Sequence, residues 1–466
     1  MEPIQIKEIL NVSKGKLMFG NPEAFVNGIS TDSRTINKGD FFVPIRGENF
    51  DGNNFIQNAF ERGAVGSFIE KGKSTNVSQK EKINLIEVEN PKFSMGELAK
   101  SYRQRFSLPY IAITGSNGKT STKEMTASIL ETRYKVLKSE GSFNNDIGLP
   151  LTLFKLTREH QVAVLEMGMN NYGEIRRMVS IVPPDIGVVT NVAEAHIEFF
   201  GDLDNIAKAK YELIESMTEQ NTAVLNADDQ RVSNFSNRTK AKTIYFGLKS
   251  SKLNFSARDI RFVTEPYGLE FTLITPSGTS NAFLPTLGEH QVSNALAAVA
   301  STWQIHPDME MVCAGLKNFK SEKMRMQIIS INDFTVINDA YNANPKSMNA
   351  ALETLNKIPA KGKKIAVLAD MLELGELQIS AHQRIGRKAF NIGLDYLVTV
   401  GNIAKNIGDS AISEGLDKSK VSICESKEEA FVKIKDIIAP NDLILVKGSR
   451  KMKLEELIEM FKKKFK

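Results

Sequence analysis

The chain has 466 residues, with 60 Lys and Arg against 55 Asp and Glu, so its formal net charge is only +5. This length allows about three domains, and the absence of a basic stripe with interleaved aromatic residues argues against a nucleic-acid partner. Cys313 and Cys424 lack CxxC spacing, which argues against a disulfide framework or structural zinc site and favours a reducing compartment. We find neither a signal-peptide pattern nor an apolar run of ~18 residues, and therefore expect a cytoplasmic protein without a membrane span.

Three zones follow one another along the chain. Residues 1–106 contain short β-like runs, such as "FFVPI" and "GSFIE", between turns rich in Gly and Asn. In residues 107–322, and again in 323–466, short apolar runs that end in polar residues alternate with helical patterns. Such runs are typical of buried parallel strands. The sequence therefore predicts an α/β protein with a small mixed α/β N-terminal domain, a central α/β domain and a C-terminal Rossmann-like domain.

The central zone begins with "ITGSNGKTSTKEM", Ile113 to Met125. We call residues 115–120 the glycine loop. A Walker A motif would place its first glycine at position 113, but this chain has Ile113 there and its first glycine at 115. A predicted strand precedes the loop and a predicted helix follows it, the context in which backbone N–H groups and the helix dipole bind phosphate. Lys119 would add a positive charge and Thr120 a Mg²⁺ ligand, so a P-loop-type ATPase domain is favoured over an ordinary βα turn.

Polar residues follow other predicted strands of this zone. Glu166 ends the run "VLE"; such an acid is by default an exposed loop residue, but beside a phosphate loop it would offer a metal a hard oxygen ligand. His196 follows "IGVVTNV" and is one of five histidines; a lone histidine is usually a surface or packed residue. Lys208 and Lys210 lie on the next amphipathic helix, where lysines ordinarily face solvent.

The stretch "GEHQVSNALAAVAST" carries His290 and Asn294 at the start of a predicted helix. Asn294 is suited either to a base edge or to capping a turn. Ala297 and Ala298 allow close packing against another helix.

These groups, in this order, are similar to those of the ATP-dependent Mur ligases and their folylpolyglutamate synthetase relatives. The further stretches "STDSRTINKGDFFVPIRGENFDGNNF", "SFNNDIGLPLTLF", "INDAYNANPKSMNAAL", "LADMLELGE" and "LVKGSRKMKLEEL" resemble members that join D-Ala-D-Ala to UDP-N-acetylmuramoyl-tripeptide. The resemblance covers nearly the whole chain. It implies an amide ligase that works through an acyl phosphate and gives the peptidoglycan pentapeptide precursor, ADP and phosphate.

By position, the resemblance also implies the residues of the ATP and metal sites. ATP would contact Gly115, Ser116, Asn117, Gly118, Lys119, Thr120, Ser121, His290, Asn294, Arg325, Asp339 and Tyr341. Two Mg²⁺ ions would be held by Thr120, Glu166, His196 and Lys210. The family carbamylates one lysine of this helix with CO₂; the match points to Lys210 rather than Lys208. The implied catalytic residues are Lys119, Glu166, His196 and Lys210.

The resemblance further assigns the substrate contacts and a role to each zone. The UDP-sugar-peptide and the dipeptide would contact Thr31, Asp32, Ser33, Arg34, Arg46, Gly47, Asp51, Asn144, Asn145, Asp146, Asn342 and Arg450. Residues 1–106 would bind UDP, 107–322 ATP, and 323–466 the dipeptide and part of the nucleotide. We expect the third domain to close over the second, in a protein that acts as a monomer.

Three alternative functions stay open. Another amide ligase of the same group, such as a folylpolyglutamate synthetase or the enzyme that adds the third amino acid, is disfavoured by "YNANP" and "TDSR". A P-loop ATPase or kinase with water or a hydroxyl as acceptor would turn over ATP without regard to D-Ala-D-Ala. A non-catalytic nucleotide-sugar binding protein would not need Lys119.

Overall fold

The computed structural model describes residues 1–47, 50–74, 83–141 and 143–465. The chain divides into two compact units. The first comprises Met1–Ala112, Tyr134–Met169 and Gly173–Asp185, and the second comprises Ile113–Arg133, Asn170–Tyr172 and Ile186–Lys466. Within the described ranges, every helix is too short or too polar to cross a bilayer.

The helices and strands are numbered in chain order. The helices are α1 Ile6–Ser13, α2 Ile56–Glu61, α3 Pro91–Arg103, α4 Lys119–Leu130, α5 Gly148–Leu153, α6 Glu174–Ile181, α7 Ile197–Phe200, α8 Leu203–Glu215, α9 Gln230–Ser233, α10 Glu289–Trp303, α11 Met309–Lys317, α12 Pro345–Lys357, α13 Gln378–Asn391, α14 Lys405–Glu414, α15 Lys427–Ile434 and α16 Glu455–Lys464. The strands are β1 Ile4–Gln5, β2 Lys16–Phe19, β3 Phe25–Val26, β4 Gly28–Ser30, β5 Asp40–Phe42, β6 Gly66–Glu70, β7 Asn84–Val88, β8 Tyr110–Thr114, β9 Val136–Lys138, β10 Val162–Glu166, β11 Ile186–Val189, β12 Thr222–Asn226, β13 Lys242–Gly247, β14 Phe255–Thr264, β15 Tyr267–Thr275, β16 Gly278–Leu284, β17 Gln327–Ile331, β18 Phe334–Asp339, β19 Lys364–Ala369, β20 Tyr396–Val400, β21 Val421–Cys424 and β22 Leu443–Lys447.

The first unit contains a five-stranded sheet in the order β2-β7-β6-β5-β4. Strands β4 to β7 are parallel, and β2 pairs with β7 antiparallel at the edge. Phe42, Ile56, Ile69 and Leu85 belong to its apolar core. A parallel pair, β9 and β10, also lies in this unit. The mixed α/β character expected of the N-terminal zone is therefore present.

In the second unit, β11, β12, β13 and β14 pair in parallel, and β14, β15 and β16 continue as an antiparallel meander. The carboxyl end of β8 lies beside β11, where Thr190 N donates to Thr114 O at 3.0 Å. The sequence patterns did not predict the meander. Buried residues alternate with partly exposed ones along most of β15 and at the end of β16, as expected of a sheet with one face in solvent.

The second unit also contains a six-stranded sheet in the order β17-β18-β22-β19-β20-β21. Only β17 is antiparallel to its neighbour. Every residue of β22 is buried, as are all but the first residue of β19 and β20. The apolar runs "KKIAVLAD", "LDYLVTVG" and "DLILVKGSR" thus form the buried parallel strands that the sequence predicts.

Helix α10 packs closely against α4, the helix that follows the glycine loop. Ala297 and Ala298 of α10 are completely buried. A Cβ atom on Gly315 of α11 would collide with the backbone of Ile129 in α4. Small residues therefore allow the close helix packing that the sequence suggested, and this packing fixes the position of α4 below the loop.

Candidate nucleotide and ligase site

The glycine loop leads directly from β8 into α4. Gly115 and Gly118 both have positive φ angles, +150° and +83°. A side chain at Gly115 would collide with Thr190, and one at Gly118 would collide with Asn294. Glycine is therefore required at both positions, and the loop's backbone can turn its N–H groups toward an anion at the amino end of α4.

The segment that follows β11 holds the glycine loop in place. Ser116 N donates to Asn191 O at 2.9 Å. Asn117 O accepts hydrogen bonds from Thr190 Oγ1 at 2.6 Å and from Asn191 Nδ2 at 3.0 Å. The Ser116 hydroxyl donates to Ala193 O at 3.1 Å. This support comes from the "TNV" stretch, to which the sequence analysis gave no role of its own.

Lys119 and Thr120 form the first turn of α4. The Lys119 ammonium donates to Gly115 O at 2.8 Å, which places its charge over the loop. Thr120 is only 2% exposed, and its neighbour Ser121 is also buried. The positive charge and the helix N-terminus thus act on the same small volume.

Lys210 and Lys208 occupy opposite environments on α8. Lys208 is exposed and its ammonium lies 3.4 Å from Asn205 Oδ1 on the same helix. Lys210 is 3% exposed, and the described residues give its ammonium no hydrogen bond or ion pair. Burial, followed by repulsion from Lys119, holds the pKa of Lys210 well below the usual value. The expectation that lysines of this helix face solvent is correct for Lys208 and wrong for Lys210.

His196 initiates α7 with a left-handed backbone, φ +61°. Its Nδ1 atom lies 2.7 Å from Oε2 of Glu373. Burial lowers the pKa of His196, Glu373 opposes this effect, and Lys119 and Lys210 lower the pKa further. The imidazole, the loop lysine and the buried lysine are therefore close enough to influence one another.

A cavity of about 410 Å³ opens next to the glycine loop, within the size range of small-molecule sites. Its lining includes the expected residues Ser116, Asn117, Gly118, Lys119, Thr120, Ser121, His196, His290, Asn294, Arg325, Asp339, Tyr341 and Asn342. Gly115 and Lys210 are not part of this lining. The lining also includes Lys447, from the "LVKGSRKMKLEEL" stretch, and polar residues that were not expected, namely Asn191, Asn226, Asp228, Asp229, Lys249, Gln291, Ser293, Asn344, Lys346 and Ser347.

The third zone contributes one charged and aromatic wall of the cavity. The Arg325 guanidinium stacks over the Tyr341 ring at 4.0 Å from its centroid. Asp339 Oδ2 lies 2.6 Å from the ammonium of Lys447, which also donates to Asn342 O at 2.9 Å. Arg325, Asp339 and the glycine loop therefore face the same cavity.

On α10, Asn294 is buried and donates from Nδ2 to Gln291 Oε1 at 2.9 Å. Asn294 lies inside the helix, so it does not cap a turn. His290 is half-buried in the first turn of α10, and burial lowers its pKa. Both side chains line the cavity, where an amide and an imidazole can bind a heterocycle edge.

Glu166 ends β10 in the first unit and is 1% exposed, so the default expectation of an exposed acid is wrong. Its Oε1 accepts a hydrogen bond from Asn144 Nδ2 at 2.8 Å. Its Oε2 is buried without a hydrogen-bond partner. A buried carboxylate oxygen that lacks a partner is costly, and a cation would satisfy it.

The two residues after Asn144 have local partners. Asn145 Oδ1 accepts a hydrogen bond at 2.8 Å from Gly148 N, at the first residue of α5. Asp146 forms ion pairs with Lys92 at 2.6 Å and with Arg177 at 3.5 Å. These contacts neither require nor prevent a role in binding substrate.

The expected UDP segments follow the carboxyl ends of two adjacent parallel strands, β4 and β5. Asp32 Oδ2 pairs with Arg34 at 2.8 Å, and the Arg34 hydrogen bonds lower the pKa of Asp32 to about 2. Hydrogen bonds from Asn53, with help from Lys73, lower the pKa of Asp51 to about 2. Thr31 and Ser33 lie in the first segment, and Arg46 and Gly47 in the second. Ligands often bind at such strand ends.

Arg450 lies on the surface after β22, and its guanidinium pairs with Glu455. Asn342 follows β18 and lines the cavity. The structure therefore places Asn342, but not Arg450, in the wall around the glycine loop.

Three or more His, Cys, Asp or Glu side chains never cluster as a metal site in the described part of the chain. Two of the four expected metal ligands, Thr120 and Lys210, do not belong to these residue types.

Three domain descriptions of one family match the chain. Mur ligase family, catalytic domain, matches residues 25–103; Mur ligase middle domain matches 113–302; and Mur ligase, glutamate ligase domain, matches 324–450. The α/β fold class with three such domains, expected from the sequence, is confirmed.

Individual relatives match over almost their whole length. The chain is 35% identical to the UDP-N-acetylmuramoyl-tripeptide–D-alanyl-D-alanine ligase of Bacillus subtilis, with 97% of each chain covered. It superimposes on a crystal structure of MurF from Acinetobacter baumannii with a TM-score of 0.90, 30% identity and 99% coverage of both chains. A MurF ligase from Thermotoga maritima, solved in complex with ADP, gives a TM-score of 0.83 at 26% identity, with 94% of this chain and 98% of that chain covered. On this evidence, the chain belongs to the Mur ligase family.

Proposed function

We propose that the protein uses ATP to join D-Ala-D-Ala to UDP-N-acetylmuramoyl-tripeptide, releasing ADP and phosphate. The observation that carries the proposal is the cavity shared by the glycine loop, Lys119, Arg325, Asp339 and Tyr341. The glycine loop, which we propose binds phosphate, lines the same cavity as Arg325 and Asp339 from residues 323–466. The names of the full-length relatives supply the substrates.

The reaction needs ATP because a carboxylate is a poor electrophile and amide formation in water is uphill. A carboxylate oxygen of the tripeptide attacks the γ-phosphorus, and the bond to the β,γ-bridging oxygen breaks as ADP leaves. The amine of D-Ala-D-Ala then attacks the acyl carbon, loses a proton, and phosphate departs from the tetrahedral intermediate. Attack by an anion on a triphosphate brings like charges together, so positioning and charge stabilisation dominate. Lys119 and the amino end of α4 supply that stabilisation.

We propose Thr120, Glu166, His196 and Lys210 as the residues that hold two Mg²⁺ ions. Glu166 fits because one of its buried oxygens has no partner, and Thr120 fits because it carries a hydroxyl and is buried in the first turn of α4. The metal would neutralise charge on the phosphates. His196 and the phosphates of ATP would supply further ligands, since the described residues contain no cluster of three His, Cys, Asp or Glu side chains.

Lys210 is proposed to act as a carbamate. Its buried amine has a lowered pKa, and a neutral amine adds to CO₂ to give N-carboxylate and one proton. The product offers hard oxygens to Mg²⁺ where an ammonium would repel it. Nuclear magnetic resonance of protein equilibrated with ¹³CO₂ tests this: a carbamate signal is expected in wild type and in Lys208→Arg, but not in Lys210→Arg. Its persistence in Lys210→Arg would assign it elsewhere.

Substrate contacts and domain roles form part of the same proposal. Residues 1–106 would bind UDP through Thr31, Asp32, Ser33, Arg34, Arg46, Gly47 and Asp51; Asn144, Asn145 and Asp146 would face the sugar-peptide; Asn342 and Arg450 would contact the dipeptide. The zones 107–322 and 323–466 would close on substrates. Small-angle scattering should show compaction with an ATP analogue and UDP-substrate, and unchanged dimensions would contradict closure.

We propose a cytoplasmic monomer. Both cysteines are free thiols in the structure, as a reducing compartment requires. Sedimentation at two protein concentrations would detect any self-association.

Phosphate release with UDP-N-acetylmuramoyl-tripeptides that contain either meso-diaminopimelate or lysine, with and without D-Ala-D-Ala, tests the function. Release that depends on both substrates supports the ligase. Release that is indifferent to D-Ala-D-Ala would indicate an ATPase or kinase. Lys119→Ala should abolish release and leave binding of the UDP-substrate intact; full activity in that variant would reject the proposed site.

A further inference from the structure

Asn117 of the glycine loop and Asn344 of the "YNANP" stretch form a reciprocal pair of side-chain amides. Asn344 Nδ2 donates to Asn117 Oδ1 at 2.8 Å, and Asn117 Nδ2 donates to Asn344 Oδ1 at 3.3 Å. The two residues are 227 positions apart in the sequence. Since each amide uses both its donor and its acceptor end, the pair fixes the orientation of both side chains.

Each member is held independently on its own side. Asn344 is the N-cap of α12: its Oδ1 accepts from Ser347 N at 2.9 Å, and its N donates to Ser347 Oγ at 3.0 Å. Asn117 is fixed through its backbone by Thr190 and Asn191, as described above. The amide pair therefore connects two anchored segments, and movement of either segment would break it.

A neighbouring contact joins the start of α12 to the loops that follow β11 and β12. The Lys346 ammonium donates to Val192 O at 3.4 Å and lies 3.6 Å from Asp229 Oδ2. Lys346 is half-exposed, so this ion pair adds little energy. Asn344, in contrast, is buried, and the amide pair is the more rigid of the two connections.

We propose that Asn344 is a positioning residue that acts through Asn117 to preorganise the glycine loop for the phosphates of ATP. Gly115 and Gly118 flank this part of the loop and give its backbone freedom that other residues lack. If such a loop becomes ordered only when the ligand binds, the affinity is lower than for a loop that the protein has already ordered. Because Asn344 is the N-cap of α12, the order of the glycine loop depends on the position of this helix. Nucleotide binding to the loop and packing of α12 against it therefore favour each other. This inference rests on the proposed ATP site.

Asn344→Ser tests the proposal because serine is also a good N-cap but is too short to reach Asn117. The matched control is Asn90→Ser, since Asn90 caps α3 through Phe93 N at 3.0 Å and has an exposed cap bond. The probe is a fluorescent ADP analogue, and each variant is also assayed for ATP-dependent phosphate release. Asn344→Ser should weaken binding of the analogue by roughly five- to twentyfold, the loss expected for one or two net hydrogen bonds.

A loss of loop order has a signature that a merely destabilised protein lacks. The KM for ATP should rise while the KM for D-Ala-D-Ala and the midpoint of thermal unfolding without nucleotide stay at their wild-type values. Asn117→Ala should cost at least the same factor, because Asn117 also lines the proposed ATP cavity. The double variant should lose no more than Asn117→Ala alone, because both substitutions remove the same amide pair. Additive losses, or binding by Asn344→Ser within twofold of wild type, would overturn the proposal. If wild type itself bound no adenine nucleotide, the proposed function would fail as well.

Discussion

Two lysines are buried to the same degree in different regions of the second unit. Lys210 in α8 is 3% exposed and Lys447 at the end of β22 is 2% exposed. The Lys447 ammonium lies 2.6 Å from an Asp339 oxygen and donates to the Asn342 carbonyl. Lys210 has no such contact among the described residues, and Lys119 is a further positive charge near it.

The difference shows what each lysine can do. A buried charge is costly unless it is paired. Lys447 is paired with Asp339 and joins β22 to β18, whereas burial and the nearby Lys119 lower the pKa of Lys210. A desolvated neutral lysine is a nucleophile. The protein therefore uses one buried lysine for structure, and we assign chemistry to the other.

The largest effect should come from removing Lys210. Lys210→Ala should lower ATP- and acceptor-dependent phosphate release by about 100-fold or more, the usual consequence of losing a group that holds a catalytic metal. The assay is steady-state phosphate release at saturating substrates. Lys208→Ala, on the solvent face of the same helix, is the control and should stay within about twofold. Equal losses in the two variants would remove the distinction between them.

Removal of Lys447 should damage stability. Lys447→Met leaves Asp339 largely buried without its cation, which should lower the free energy of unfolding by about 2–4 kcal/mol. Urea denaturation monitored by circular dichroism measures the change. Lys462→Met is the matched control, because Lys462 pairs with Glu459 at 2.7 Å on the exposed side of α16, and it should change stability by less than about 0.5 kcal/mol. A neutral effect of Lys447→Met would show that the ion pair does not stabilise this region.

The sequence predicted most of the fold and part of the site. Buried runs such as "KIAVLA" and the loop between β8 and α4 are local patterns, so they could be recognised before the structure was known. The choice of Lys210 over Lys208 as the carbamylated residue depended on the family resemblance. The two lysines are two residues apart on one helix and lie on different faces, and the sequence alone does not show which face is buried. Burial in the structure separates them.

What the sequence did not predict depends on contacts between distant segments. Asn191 and Asn344 support the glycine loop from positions far along the chain. Glu373 reaches His196 only because the loop after β19 lies against α7. The meander β14–β16 has weak alternation and exposed ends, so no single run identified it. Such pairings follow from topology, which a pattern within one element does not contain.

A smaller effect is expected when Lys210 is replaced by an apolar residue and stability is measured. The pKa of Lys210 is lowered in the folded chain, so between that pKa and the unfolded value the unfolded chain binds a proton that the folded chain does not. Stability is therefore reduced in this window and recovers as pH rises toward the unfolded pKa of about 10.4. Lys210→Met should raise the free energy of unfolding at pH 7 by about 1–2 kcal/mol, and the gain should shrink as pH increases.

Urea denaturation at pH 7, 8 and 9 in buffers freed of CO₂ measures this trend. Lys208→Met should give the same stability as wild type at each pH. A loss of stability in Lys210→Met would mean that Lys210 has a stabilising partner, as Lys447 does, and would break the comparison between the two lysines.

The smallest effect concerns Glu373, the carboxylate that partly offsets Lys119 and Lys210 at His196. Burial already lowers the pKa of His196, and Glu373 raises it. Glu373→Gln should therefore lower that pKa further, so that less imidazolium is present at any pH near neutrality. Nuclear magnetic resonance titration of the ring protons measures the shift, with His196→Gln to assign the signal. Phosphate release should change by less than about fivefold, because Glu373 is partly exposed and screened.

Glu376→Gln in the same loop is the control, and it should leave the His196 titration at its wild-type position. An unchanged or raised pKa in Glu373→Gln would show that this carboxylate does not act on the ring.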